Sequence, residues 1–105
     1  MICLTKKIIN IRAKLLHGSS TFQGFTNSIC EDGLYMRTLP IETDMGISTG
    51  SEVQVRLEPE GRAPVCLHCR VKWLYKTPPH KLTNSIGVEI VDSLPNYKEL
   101  LKELL

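Results

Sequence analysis

The sequence contains no apolar run close to the roughly 20 residues that a membrane-spanning helix requires. Lys6 and Lys7 interrupt the amino-terminal apolar stretch too early for a secretory signal, so we expect a cytoplasmic protein without membrane insertion. The chain also lacks a large excess of positive or negative charge. The formal net charge of +2 gives no argument for a nucleic acid polymer as partner.

Groupings of residues typical of catalytic or metal sites are missing as well. The three histidines fall in a predicted turn, on a strand face and in a proline-rich loop, and none lies in a recognisable catalytic context. Cys66 and Cys69 have the spacing of a metal or redox pair, but residues three apart on a strand point to opposite faces, and no second pair completes four ligands. We therefore predict no enzymatic activity, no catalytic residue, no metal and no cofactor.

The four cysteines are expected to be reduced thiols, because a chain with this many aliphatic residues builds a core without disulfides. Cys69 is then a small core residue, with Cys66 and His68 on the outer face of the same strand. Trp73 shares the face of Val71, which predicts a core position rather than a stacking platform.

The 105 residues, 42% apolar and 23% charged, are typical of one soluble domain, here 1–105. Period-two alternation predicts six strands, at 8–16, 22–29, 33–39, 53–57, 65–73 and 85–91. Apolar residues then recur at helical spacing behind Pro95, so the last eleven or so residues should form an amphipathic helix. We expect a mainly β protein, a small antiparallel barrel or sandwich capped by this helix. Its apolar face packs on its own sheet by default, and a groove on a partner protein is the alternative.

Several features are taken together here: the strand order, the hairpin at 24–36, Gly50 before a strand, the segments 71–73 and 86–90, and the closing helix. With these features the chain resembles a PilZ domain over nearly its whole length. The resemblance implies a six-stranded antiparallel β-barrel without enzymatic activity. Many members of that family are bacterial receptors for cyclic di-GMP. The implied partners are therefore cyclic di-GMP and another protein of a motility, secretion or signalling system.

Two motifs bind the dinucleotide in that family, an RxxxR before the first strand and a [D/N]xSxxG between the second and third strands. The second motif aligns with 28–33, where Ser28 replaces the acid or amide, Cys30 replaces the serine and Gly33 is retained. Asn27 lies one residue too early and would need a β-bulge to substitute. The first motif is absent.

Lys6 and Lys7 lie about where the second arginine would be. Lysine carries the charge but not the planar fork of a guanidinium, so these residues either hold a phosphate as point charges or only solvate the terminus. If each lost charge-assisted hydrogen bond costs about 1.5–3 kcal/mol, losing two arginines and the acid removes several powers of ten in affinity.

We therefore predict a degenerate PilZ-like signalling domain that binds cyclic di-GMP weakly or not at all and acts through protein contacts. The alternative is a functional receptor that uses Lys6, Lys7 and the turn from Ser28 to Gly33, including Cys30.

Overall fold

Seven strands and one helix make up the fold in the computed structural model, which describes residues 6–41, 44–77, 80, 82–92 and 95–104. The elements in these ranges are β1 (Lys7–Ile8), β2 (Arg12–His17), β3 (Ser20–Ile29), β4 (Gly33–Thr38), β5 (Glu52–Glu58), β6 (Val65–Thr77), β7 (Thr83–Asp92) and α1 (Pro95–Leu104). All six predicted strands and the terminal helix are present. The predicted first strand is divided into β1 and β2.

The strands close on themselves. Antiparallel pairing runs in the order β3, β2, β5, β6, β7, β4, and β4 pairs back to β3, which completes a six-stranded barrel. The short β1 extends the pairing of β3 beyond β2. The predicted fold class, a mainly β barrel followed by a helix, is confirmed.

Between β1 and β2 the backbone forms hydrogen bonds to a buried threonine of β3. The Oγ1 atom of Thr26 accepts a hydrogen bond from the Ile11 amide at 2.9 Å and donates to the Ile9 carbonyl at 2.6 Å. The side chain of Asn10 in turn donates to the Thr26 carbonyl at 2.7 Å. The hydroxyl thus takes the place of regular ladder bonds and holds the amino-terminal segment against β3.

Alternating side chains fill the barrel. On β5, Val53, Val55 and Leu57 are buried while the residues between them are exposed. Cys69 lies in this core and Cys66 on the outside, as predicted for the inner and outer faces of β6. Burial raises the pKa of the Cys69 thiol to about 12.

The helix α1 closes one end of the barrel with its apolar face inward. Tyr97, Leu100 and Leu101 are its buried residues, and the Tyr97 hydroxyl donates to the Cys30 carbonyl at 2.5 Å. Burial also raises the pKa of Tyr97. The default prediction, that this face packs on its own sheet, is confirmed. In the described part of the chain no helix is long and apolar enough to span a membrane.

A β-bulge on β6 corrects the prediction for Trp73. Val71 pairs with Val88 and Trp73 with Gly87, so two steps along β6 match one step along β7 and Lys72 is the extra residue. An extra residue reverses the inward and outward alternation beyond it. Trp73 is therefore 39% exposed on the outer wall instead of lying in the core.

Candidate functional site

A cavity of about 580 Å³ lies on the outside of the barrel, beside the turn between β3 and β4. Four of the five predicted site residues, Lys6, Ser28, Cys30 and Gly33, are among its lining residues. The remaining lining residues are Ile29, Leu34, Tyr35, Lys72, Trp73, Gly87 and Val88. The structure thus brings most of the predicted residues together, and their role in binding stays a prediction.

Lys7 is separate from this group. It pairs with Ile29 in β1, is partly buried, and is absent from the lining of the cavity, whereas Lys6 is exposed and lines it. Only one of the two predicted lysines is therefore placed to meet a ligand there.

Ser28 owes its position to a second bulge. Thr26 pairs with Met36 and Ser28 with Tyr35, so Asn27 is the extra residue on β3. The bulge that sequence reasoning required for Asn27 to replace Ser28 is present. Even so, Ser28 and not Asn27 lines the cavity.

The peptide groups of Cys30 are already engaged. Its amide donates to the Gly33 carbonyl at 2.9 Å, which closes the turn, and its carbonyl accepts the bond from Tyr97. Its side chain is disulfide-bonded, so the expectation of reduced thiols is wrong for Cys30, whereas Cys66 and Cys69 are free thiols. Cys30 therefore has no S–H to offer in place of the serine hydroxyl.

Paired positions on four neighbouring strands form the floor of the cavity. Ser28 pairs with Tyr35, Tyr35 with Gly87, and Gly87 with Trp73. Paired residues share a face of the sheet, so these four lie in one row on the outer wall.

Gly87 makes room for the indole of Trp73. A Cβ atom at position 87 would lie 2.2 Å from Trp73 Cε2, which leaves no space for any other residue with the ring where it is. The indole lies across the glycine and contacts Tyr35, with ring centroids 4.8 Å apart and planes tilted by 51°. A glycine inside an apolar strand often marks such a close approach, so Gly87 was the available signal for this contact.

The charges at the cavity come from lysine. Lys72 Nζ lies 3.5 Å from a Glu89 carboxylate oxygen, and the same carboxylate lies 3.6 Å from Arg70. Among the described lining residues there is no arginine. The cavity thus offers an anion point charges from Lys6 and Lys72, one of them already paired with a carboxylate.

In the described part of the chain, no group of three or more His, Cys, Asp or Glu side chains is placed to hold a metal ion. Cys66 and Cys69 lie on opposite faces of β6, which is the geometric reason why this pair cannot chelate one ion. The predicted absence of a metal site stays a prediction for the whole chain.

The closed six-stranded barrel with a carboxy-terminal helix is a PilZ-like fold. Among solved structures, the chain is similar to the inhibitor of motility MotI/DgrA of Bacillus subtilis, with a TM-score of 0.73 at 10% sequence identity. The match covers 94% of this chain and 46% of that chain, so this chain spans less than half the length of that protein. No family model and no curated protein sequence matches the chain. At this identity the similarity shows the fold alone.

Proposed function

We propose that this chain is a non-enzymatic bacterial signalling domain of the PilZ type that binds cyclic di-GMP weakly or not at all and acts through contacts with another protein. The observation that carries the proposal is the composition of the cavity beside the β3–β4 turn. It has Lys6 about where the family's ligand site has its second arginine, no arginine among the described lining residues, and Ser28 and Cys30 where that site has an acid or amide and a serine.

The physical basis is hydrogen-bond geometry. A guanidinium offers two parallel donors to a phosphate and a flat face to a guanine, and an ammonium offers neither. Cys30 is disulfide-bonded, so it cannot donate in place of the serine hydroxyl. The similarity to an inhibitor of motility supports a regulatory role in a motility, secretion or other signalling system. We further propose a cytoplasmic location.

A second candidate is a functional cyclic di-GMP receptor. It is favoured by the convergence of Lys6, Ser28, Cys30 and Gly33 on one cavity, next to the partly exposed indole of Trp73. In this alternative Lys6 holds a phosphate and the turn contacts a guanine base. Lys7 contributes only through the general positive potential of the segment.

Isothermal titration calorimetry with cyclic di-GMP separates the two candidates. We expect no heat of binding up to hundreds of micromolar ligand. Binding at low micromolar concentration that is lost in Lys6→Ala and kept in Lys7→Ala would establish the receptor and contradict our proposal. The two variants remove the same charge from neighbouring positions, so each is the control for the other.

A further inference from the structure

A cluster of aromatic side chains lies on the outer wall formed by β4, β7 and the distal half of β6. One row of paired positions contains Tyr35, Gly87 and Trp73, and the next row contains Arg37, Ser85 and Tyr75. We call these six residues the aromatic wall. The small residues Gly87 and Ser85 are buried, so the rings and the arginine form its surface.

The rings are exposed although they are large. Trp73 is 39% and Tyr75 50% exposed, and their rings stack with centroids 5.5 Å apart and planes inclined by 23°. The Tyr35 and Tyr75 hydroxyl oxygens lie 3.4 Å apart. This hydrogen bond raises the pKa of Tyr35 and lowers that of Tyr75. Contacts between the rings thus hold them in a fixed arrangement, which lowers the entropy lost when a partner binds them.

The composition of the wall is that of a protein-binding hot spot. Tryptophan, tyrosine and arginine are the residues that most often dominate binding energy at protein interfaces. The wall combines one tryptophan, two tyrosines and Arg37 within two adjacent rows. Exposed aromatic surface of this kind on a small domain marks an interaction site.

The charge of the wall indicates the kind of partner. Arg37 is exposed and, among the described residues, forms no ion pair. At the adjoining edge the Glu89 carboxylate faces both Arg70 and Lys72, and Arg70 also faces the Glu52 carboxylate. The six residues of the wall include no carboxylate, so the surface carries excess positive charge and complements an acidic partner.

The ring geometry favours a protein segment over stacked nucleobases. Trp73 already stacks on Tyr75 and meets Tyr35 at a tilt, so no base can insert between these rings. Single-stranded nucleic acid binds when successive bases stack on separate aromatic faces. A protein segment needs no insertion between rings, because its side chains pack on the exposed parts of Trp73 and Tyr75.

We propose that the aromatic wall docks an acidic segment of a partner protein that also carries a large apolar side chain. This rests on the proposed function, because it names the surface through which the protein contact is made. The apolar side chain packs on Trp73 and Tyr75, and an Asp or Glu of the segment pairs with Arg37. Tyr35 and Trp73 also line the cavity beside the β3–β4 turn, so such a segment and a ligand in that cavity exclude each other.

Peptide selection on the purified full chain tests this surface. Random 12-residue peptides displayed on phage are selected against the immobilised protein, and the enriched peptides are synthesised and titrated. We expect enriched peptides with an excess of Asp and Glu and at least one Leu, Phe or Trp. Trp73 is the sole tryptophan, so tryptophan-free peptides should change the protein's fluorescence directly.

A matched pair of charge reversals locates the contact. Arg37→Glu on β4 should weaken the selected peptides at least tenfold. Arg56→Glu on β5, across the barrel from β4, should leave them unchanged. Trp73→Ala should also weaken binding. Circular dichroism should confirm that Arg37→Glu and Trp73→Ala remain folded.

Failure to enrich any peptide, enrichment of peptides without acidic residues, or equal affinity in Arg37→Glu would each overturn the assignment. Binding of a 12-nucleotide deoxythymidine strand that Arg37→Glu abolishes would reassign the wall to nucleic acid. The titration with cyclic di-GMP is independent of these outcomes. Tight binding of cyclic di-GMP therefore refutes the proposed function even if the aromatic wall binds peptide. Peptides that bind elsewhere on the protein refute only the proposal that the aromatic wall is the docking surface.

Discussion

The contact between Gly87 and Trp73 leads to a prediction that can be worked out from the structure. In Gly87→Ala the new methyl group would lie 2.2 Å from Trp73 Cε2 and 2.3 Å from Nε1. Non-bonded carbons in contact are normally about 3.5–4.0 Å apart, so the indole must move by roughly 1.3 Å or more. Since the ring is partly exposed, we expect it to swing outward while the backbone of β7 stays in place.

The expected loss of stability is small but measurable. Displacing the indole removes its contacts with Tyr35 and Tyr75, each worth about 0.5–1.5 kcal/mol. Replacing glycine by alanine in a strand returns about 0.5–1 kcal/mol. The free energy of unfolding should therefore fall by about 1 kcal/mol. Urea unfolding followed by circular dichroism measures it, and the emission of Trp73 should shift to longer wavelength because the ring becomes more exposed.

A double-mutant cycle tests the cause. In a Trp73→Leu background the obstructing ring is gone, so Gly87→Ala should become neutral or stabilising. The coupling energy between the two positions is then about 1–2 kcal/mol. The same loss in both backgrounds would refute the reasoning, because it would place the clash in the backbone of β7 instead of the indole.

Three further predictions concern the core and the barrel ends. Thr26→Val should lower the free energy of unfolding in urea by about 2–3 kcal/mol, because two hydrogen bonds to the backbone are lost. Hydrogen exchange at the Ile11 amide should also become faster. Thr26→Ser keeps the hydroxyl, so it should restore both values. Tyr97→Phe should lower the free energy of unfolding, measured the same way, by about 1–2 kcal/mol, because the buried carbonyl of Cys30 loses the hydroxyl that donates to it. An unchanged free energy of unfolding would mean that another group donates to this carbonyl. In the folded state the Cys69 thiol has a pKa of about 12, above the ordinary value of 9.0. The contribution of the protonated thiol to stability is therefore fully present below pH 9 and is lost as the pH rises toward 12. Cys69→Ala should therefore flatten the fall of stability with pH in that window, and an unchanged slope would contradict the assignment.

The positions of the strands were largely predictable because burial in this fold follows period-two alternation. The segment 53–57 alternates apolar and polar residues, and β5 (Glu52–Glu58) lies there with its apolar side chains inside. The helix behind Pro95 was predictable for the same kind of reason, since its buried residues recur at helical spacing. Such patterns are local, so they can be read without knowing which strands pair.

The site was only partly predictable. Alignment with the family's second motif pointed to Ser28, Cys30 and Gly33, and these residues do line one cavity with Lys6. Trp73 was assigned to the core because alternation was continued from Val71 through the position of the Lys72 bulge. Nothing in the local sequence marks that bulge, because it exists only relative to the register of β7.

The sequence by itself determined a mainly β chain with a helix behind Pro95, and it predicted a turn at 28–33 in which Ser28 and Cys30 replace the acid or amide and the serine of the family's second motif. Tertiary structure decided which side chains share the outer wall. Each bulge, at Asn27 and at Lys72, reverses the facing of every residue beyond it on the same strand. Pairing among β3, β4, β7 and β6 sets these two bulges, and the same pairing brings Ser28, Tyr35, Gly87 and Trp73 into one row.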